Sequence, residues 1–269
     1  MPDLLVAMAF LPAELRPPSG RRQPRGFSLA DLVSGGRPPD LSPGSGAQTP
    51  FAVAIKGGNN GVSHGHEDAG SFSLVVGTNL VICDPGGEVY TARTFSAHRF
   101  DSQVLNSFGH AVSVVAGHLQ KSGPAARAEV RETGFAEAAD TLTFDLRPAY
   151  PVPVLKQLDR TFIYERSPRP ALTVRDTVKF SRPESYETAL ITWGTVRADG
   201  PDALIITDGE SSVRVTIDTR GQAFHWHQKL IDEDVSSGCK PFHIGIRLDQ
   251  KLTTGVITLH ISPVPSPAG

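Results

Sequence analysis

Two histidines, His64 and His66, stand two apart in the run SHGHEDAGSF. On an extended strand their imidazoles would project to the same side. One hairpin later Asp84 closes the run NLVICD, immediately before the turn PGG, and His110 follows the polar run NSFG. Two imidazoles and a carboxylate delivered from neighbouring strands, with a fourth position open, make the ligand set of a solvent-accessible zinc site. The same donors suit other first-row ions, so zinc is a preference among several metals. Histidine pairs at this spacing also occur on wet strand faces that bind nothing, and spacing alone leaves both readings open. His225 and His227 in FHWHQK share the spacing, but Trp226 alternates with them and no acidic strand end follows nearby. They read as exposed strand histidines.

The elements that must carry these residues are short. From Phe51 onward the chain runs through FAVAIK, SFSLVVG, NLVICD, ALTVRDTVKF, YETALITW, DALIITDG, SSVRVTID, PFHIGIRL and GVITLHI. These runs are rich in Val, Ile, Thr and Phe and are spaced as antiparallel strands are. RDTVKF and VRVTID alternate apolar and polar, as strands with one wet face do. GTN, between SFSLVV and NLVICD, reads as a tight hairpin. No long amphipathic helix is evident, so the fold class is all-β, an antiparallel β-sandwich of two sheets. Residues 1–50 read as an irregular segment or linker continuing from an upstream domain, with residues 13–50 rich in Pro, Gly, Arg and Ser. Within it, FSLADLV (residues 27–33) has the make-up of one helical turn. The sandwich is assigned to residues 51–262, and the Pro-rich residues 263–269 form a frayed tail.

Composition narrows the function. Hydrophobic residues make up 39% and charged residues 20% of the 269, enough to bury a real core. A formal net charge of −2 gives no electrostatic footprint for nucleic acid. It also gives no overall basic face for a polyanion, so an acidic glycan would need local positive groups. No apolar run reaches the length of a membrane span. MPDLLVAMAFLPAELRPP has an apolar patch but no basic leading region and no small-residue cleavage site, and it does not read as an export signal. Cys83 and Cys239 show no framework spacing and read as two lone buried thiols.

Several motifs in order and at matching spacing, KGGNN, SHGHEDAGSF, DPGGEVYTARTFS, NSFGHAV and VVAGHLQ, resemble the C-terminal domain of the heparinase II/III-like family. The resemblance is densest over residues 56–120 and extends to about Trp193 through AYPVPVLKQLDRTFIYER and LTVRDTVKF. It implies a β-sandwich packed against an N-terminal α/α toroid, acting by β-elimination on uronic-acid polysaccharides. It implies that His66, Asp84 and His110 hold a structural zinc ion. It also places His64 on a catalytic histidine beside the substrate's uronate, and Tyr90 near a tyrosine of proton transfer. Periplasm or cell envelope is the implied location, and an acidic polysaccharide the implied partner. Elimination needs the uronate carboxylate neutralised, a base for the adjacent carbon-bound proton and an acid for the leaving oxygen. A tyrosine serves either proton role, and a histidine beside a metal-bound neighbour is oriented toward a carboxylate. For Tyr90 the bland alternative is an aromatic packing on a strand edge.

The sequence departs from the family in places. Arg99-Phe100 stands where the family often has Arg-Tyr, and Ser113 where a Pro is frequent. No stretch of these residues reads as the toroid. Asn59 and Asn60 read as a turn, Glu67 and Asp68 as partners of the histidines or as turn caps, and Arg93 and Arg99 as possible contacts for an acidic glycan. The competing functions are a non-catalytic, metal-stapled glycan-binding or scaffolding sandwich and, third, a metal-dependent hydrolase with Glu67 as its base. Neither the particular uronan nor the oligomeric state is encoded legibly.

Overall fold

A computed structural model describes residues 7–10 (as backbone), 50–166 and 169–265. The helical turn expected over residues 27–33 and the last four residues of the tail lie outside them. Among the described residues the strands run in chain order as follows. The first five are β1 (Ala7–Phe10), β2 (Phe51–Lys56), β3 (Gly58–Asn60), β4 (Phe72–Val76) and β5 (Asn79–Ile82). After an irregular stretch come β6 (Val114–Val115), β7 (Gly123–Phe135), β8 (Ala139–Asp145), β9 (Leu155–Glu165), β10 (Ala171–Glu184) and β11 (Tyr186–Thr192). The last six are β12 (Thr195–Ala198), β13 (Ala203–Asp208), β14 (Ser211–Asp218), β15 (Phe224–Leu230), β16 (Phe242–Leu248) and β17 (Leu252–Pro263). No α-helix occurs among the described residues, and no described helix is long and apolar enough to cross a membrane.

A nine-stranded sheet, in the order β12-β13-β14-β17-β10-β9-β8-β7-β3, forms one layer. Two four-stranded sheets, β1-β2-β4-β5 and β15-β16-β11-β6, lie against it. The two small sheets meet edge to edge, where the Cys83 N–H donates to the Ile191 carbonyl at 2.9 Å and the Thr192 hydroxyl to the Val81 carbonyl at 2.8 Å. Strand alternation accounts for the layers. Along β10, Asp176, Val178 and Phe180 point inward while Arg175, Thr177 and Lys179 point out; along β14, Val213, Val215 and Ile217 are buried. The layers interlock through Phe72 against Phe162 (5.7 Å between rings) and Phe51 against Tyr164 (6.0 Å). Each such fully buried side chain contributes about 1.5–3 kcal/mol. Val76 pairs with Asn79 across the Gly77-Thr78 turn, and Gly77 supplies the positive φ of 61° that this hairpin demands.

Two expectations need correction. The leading segment is not irregular throughout, because β1 pairs antiparallel with β2, Ala7 opposite Lys56. Both cysteines are free, but only Cys83 is buried; Cys239 is exposed on a loop.

Candidate functional site

His64 and His66 do not share a strand. Residues 61–65 form a turn closed by the Gly65 N–H on the Val62 carbonyl at 3.0 Å, and His64 sits in the left-handed region at φ 57°. For a residue with a Cβ that conformation costs of order 1 kcal/mol, a strain that concentrates at functional sites. Its effect is to split the pair: His64 is exposed, while His66 turns inward.

Inside, His66 meets Asp84 and His110, and one ligand atom from each lies within 4.8 Å of the others. Asp84 follows the end of β5 by two residues. Its Oδ1 accepts the Gly86 N–H at 2.9 Å, which aims Oδ2 at His110 Nδ1, 3.3 Å away. His110 directly follows the 3-10 turn Ser107–Gly109, and its ring lies 5.1 Å from that of His66. Both ring nitrogens of His110 are buried without a hydrogen-bond partner. Buried polar atoms are rarely left so. The 3.3 Å spacing is long for a hydrogen bond, yet it matches the edge, about 3.3–3.4 Å, of a tetrahedron with metal bonds of about 2.0–2.1 Å. The residues present therefore fit a zinc-like ion.

The electrostatics of His66 and Asp84 agree with that donor set, while His110 would give up its proton on binding an ion. Burial pushes the His66 imidazole down to about 4, with charge on His110 adding to the effect, so His66 is neutral at pH 7. Burial would raise Asp84, but His110 and then His66 outweigh it and hold the carboxyl well below its usual range. Burial opposes protonation of His110 as well; here the Asp84 carboxylate prevails and raises its pKa. A neutral imidazole and an ionised carboxylate are the forms that bind metal. Beside them burial lifts the Glu67 carboxyl to about 7, against the opposing charge of His110. Asp68 orients neither histidine directly; its carboxylate pairs with Lys56, and its carbonyl closes a turn to Ser71.

Buried side chains that the sequence reading passed over hold the ligand loops in place. Arg160 on β9 grips Asp176 on β10 with two bonds of 2.7 Å, and donates to the carbonyls of Gly70 (3.1 Å) and Ala111 (2.7 Å). One guanidinium thus ties down the end of the His66 loop and the residue after His110. Ser113, the departure from a frequent Pro, belongs to this network: its hydroxyl meets Tyr186 Oη at 2.8 Å and accepts from Arg160 at 3.1 Å. Asn60 receives the N–H groups of Asp68 and Ala69 on its carbonyl, each at 3.2 Å, and donates to Gln120 at 2.9 Å. Asn59 does form the expected turn, its Oδ1 accepting the Gly61 N–H at 2.8 Å.

At the turn that leads into His66 opens a cleft of ≈ 360 Å³ whose walls include Asn60, His64, Gly65, Phe95, Arg99 and Phe100. The Arg99 guanidinium donates to the Thr94 and Gly65 carbonyls at 3.1 and 3.2 Å, which fixes it beside the His64 turn. Arg93 is different: Glu88 and Glu233 both engage it, Glu233 at 2.9 Å, so its charge is spent within the fold. Tyr90 lies in the irregular stretch after β5, exposed, its ring edge-on to Phe95 at 5.3 Å. It therefore neighbours the cleft through Phe95, and it packs on a loop aromatic, not on a strand edge.

The second HxH pair also departs from expectation. His225 is exposed and meets Asp249 at 2.6 Å, whereas His227 faces Glu187 and His243. The acidic partner that the sequence reading sought just downstream comes instead from β11.

The family described as "Heparinase II/III-like, C-terminal" matches residues 47–237, well past Trp193. Among curated proteins nothing matches. Solved structures similar to this chain include the heparan sulfate lyase HepC from Pedobacter heparinus, with a TM-score of 0.67 and 13% identity over 82% of this chain and 34% of that one. They also include a heparinase III gene product with methylated lysines (TM-score 0.64, 15% identity, 81% and 33% covered) and a further heparinase III (0.62, 13%, 81% and 34%). The chain thus spans about a third of the length of the structures it matches. At these identities the likeness is one of fold. The match over residues 47–237 goes further: the chain belongs to the heparinase II/III-like C-terminal domain family.

Proposed function

We propose that this chain is the C-terminal sandwich of a polysaccharide lyase that cleaves uronic-acid glycans by β-elimination. One juxtaposition supports the reading: His64 and Arg99 line the same cleft, and its wall runs to Gly65, the residue before His66 of the His66–Asp84–His110 trio. The chain's similarity to structures named heparan sulfate lyase and heparinase III favours a glycosaminoglycan as substrate.

In this reading His66, Asp84 and His110 would hold a zinc ion, which when bound would supply positive charge and cross-link the segments that carry them. His64, exposed on its strained turn, and the Arg99 guanidinium offer the hydrogen bonds and positive charge that neutralise the uronate carboxylate. Neutralisation acidifies the carbon-bound proton next to that carboxylate. As a base removes the proton, the C–H electron pair becomes the new C=C bond. The C–O bond to the leaving sugar breaks with its pair, and an acid protonates that oxygen. Tyr90, whose ring packs edge-on to the cleft-lining Phe95, is this chain's candidate for carrying a proton. The family's helical toroid would furnish the opposite wall.

A second reading has one observation in its favour. Phe100 lines the cleft with a ring that carries no hydroxyl, as a glycan-binding sandwich stapled by metal would tolerate. The two readings separate in an assay of uronans, including heparan sulfate and alginate, followed for the ultraviolet absorbance of unsaturated product. With the sandwich joined to a toroid of its family, the lyase reading expects turnover that falls at least about 100-fold in His64→Ala. Binding without unsaturated product and without new reducing ends in the joined protein would leave only the non-catalytic reading.

A further inference from the structure

A second constellation lies on the outer face of the β15-β16-β11-β6 sheet. Glu187 on β11, His227 on β15 and His243 on β16 bring one ligand atom each within 4.8 Å of the others. Strand register explains their meeting. β16 runs between β15 and β11, and its Gly245 pairs with His227 on one side and Ala189 on the other. Residues two apart share a face. His243 therefore precedes Gly245 on the same face of β16, and Glu187 precedes Ala189 on the same face of β11. The opposite face of β16 sends Ile244, Ile246 and Leu248 into the core.

Gly245 is the open centre of this group. A Cβ there would stand 2.2 Å from His227 Cε1 and 2.6 Å from Glu187 Oε1. Glycine inside a strand weakens it, and its usual justification is the close approach of another group. Here those groups are the imidazole and carboxylate of the cluster.

His243 is oriented as a ligand. Its Nδ1 meets the Phe108 carbonyl at 2.8 Å, and its ring stacks on Phe108 at 4.0 Å with 5° between planes. A carbonyl only accepts, so Nδ1 carries a proton, and in the neutral ring this leaves Nε2 to present its lone pair to an ion, the arrangement that outer partners impose on metal-bound histidines. That Nε2 lies 3.4 Å from Glu187 Oε1, and His227 Nε2 lies 3.8 Å from the same oxygen. Both separations exceed an ordinary hydrogen bond of about 2.7–3.2 Å. They approach the edge of about 3.3–3.4 Å expected between donors on one tetrahedral ion. The His243 side chain is 1% exposed, that of Glu187 9% and that of His227 40%. The floor is closed and the mouth is open.

We propose that Glu187, His227 and His243 form a second metal site for a zinc-like first-row divalent ion, with its fourth position toward solvent beside His227. It shares no residue with the His66–Asp84–His110 trio and does not depend on the lyase reading. Phe108, two residues before His110, links the two sites through the Ser107–Gly109 turn.

The test is a metal count on the metal-free full chain, titrated with zinc chloride by calorimetry and with cobalt(II) by absorbance. Wild type should take two equivalents, with the cobalt bands of four-coordination at both. His227→Ala, an exposed change on the edge strand β15, should lose one equivalent while the metal-free melting temperature stays the same. Gly245→Ala should lose the same equivalent, and His66→Ala the other. If His227→Ala binds as many equivalents as wild type, the second site is wrong. If wild type takes one equivalent that survives in His66→Ala and vanishes in His227→Ala, the second site stands and the first trio is not a metal site.

Discussion

At the scale of single residues, the Arg160–Asp176 pair anchors the segments that follow His66 and His110, through the Gly70 and Ala111 carbonyls. Both side chains are almost fully buried, at 0% and 2% exposure. Taking such charges out of water is costly, and only good geometry with every remaining donor satisfied compensates. Arg160 meets that condition: the Gly70 and Ala111 carbonyls take two of the donors that Asp176 leaves over, and the Ser113 and Thr188 hydroxyls share the last. Arg160→Met should cost about 3–5 kcal/mol, because Asp176 would be left charged and buried without its partner. Denaturant midpoints give the measurement. Arg160→Met/Asp176→Leu should recover most of the loss, since no uncompensated charge remains. A single variant within 1 kcal/mol of wild type would mean that water already reaches the pair.

At the scale of elements, strand runs were far more legible than loops. FAVAIK, RDTVKF, VRVTID and the Gly77-Thr78 hairpin lie where alternation and turn chemistry place them, because a period of two is a local property of the chain. β7 was missed since its burial is mostly exposed and its sequence, GPAARAEVRETGF, offers no apolar face. The site residues divided in the same way. Asp84 and His110 follow from order and type, but the split of His64 from His66 depends on one left-handed residue that no periodicity announces. Glu187 and His243 were invisible because only strand register brings them to His227.

The end of β8 provides a pH test at this scale. Burial works to raise Asp145, but the Arg147 side chain and backbone N–H, and then Arg131 on β7, outweigh it and hold the carboxyl at about 2. A carboxyl depressed on folding stabilises the fold above its unfolded value near 3.8, and that contribution fades as pH falls toward 2. Wild type should therefore be more stable than Asp145→Asn at pH 6, by about 1–3 kcal/mol, and the gap should narrow between pH 4 and pH 2. A gap that stays constant over that range would show that the carboxylate's charge contributes nothing.

The stretch from Gly86 to His110 gives a second test of elements. It is mostly loop and short 3-10 turns, tied to the rest by the Glu88–Val235 bridge, Arg93 and the buried trio. Metal across His66, Asp84 and His110 would close it at its far end. Removing the ion with a chelator should speed hydrogen exchange within residues 86–110 and lower the melting temperature by several degrees. In His66→Ala the first trio should contribute no chelator-sensitive exchange in this stretch. Unchanged exchange in wild type would remove any stapling role.

At the scale of the whole molecule, the cleft is open to solvent. His64 and Arg99 line it and Tyr90 neighbours it through Phe95, yet the proposed elimination would require neutraliser, base and acid gathered around one sugar ring. Small displacements of such groups carry large rate costs, with a misplacement of about 1 Å worth some 100-fold. The chain spans about a third of the length of the structures it resembles, and in the proposed lyase reading the opposite wall would come from a toroid domain. The isolated chain should therefore bind uronans weakly and form unsaturated product at no more than about a hundredth of the rate of the same sandwich joined to a toroid. Parallel ultraviolet assays of the two proteins at equal concentration measure this. Metal-loaded protein is used in both, so that a loosened 86–110 loop does not lower the rate by itself. Full turnover by the isolated chain, lost in His64→Ala, would place the entire active site within this sandwich and make Tyr90 the first residue to examine as its proton carrier.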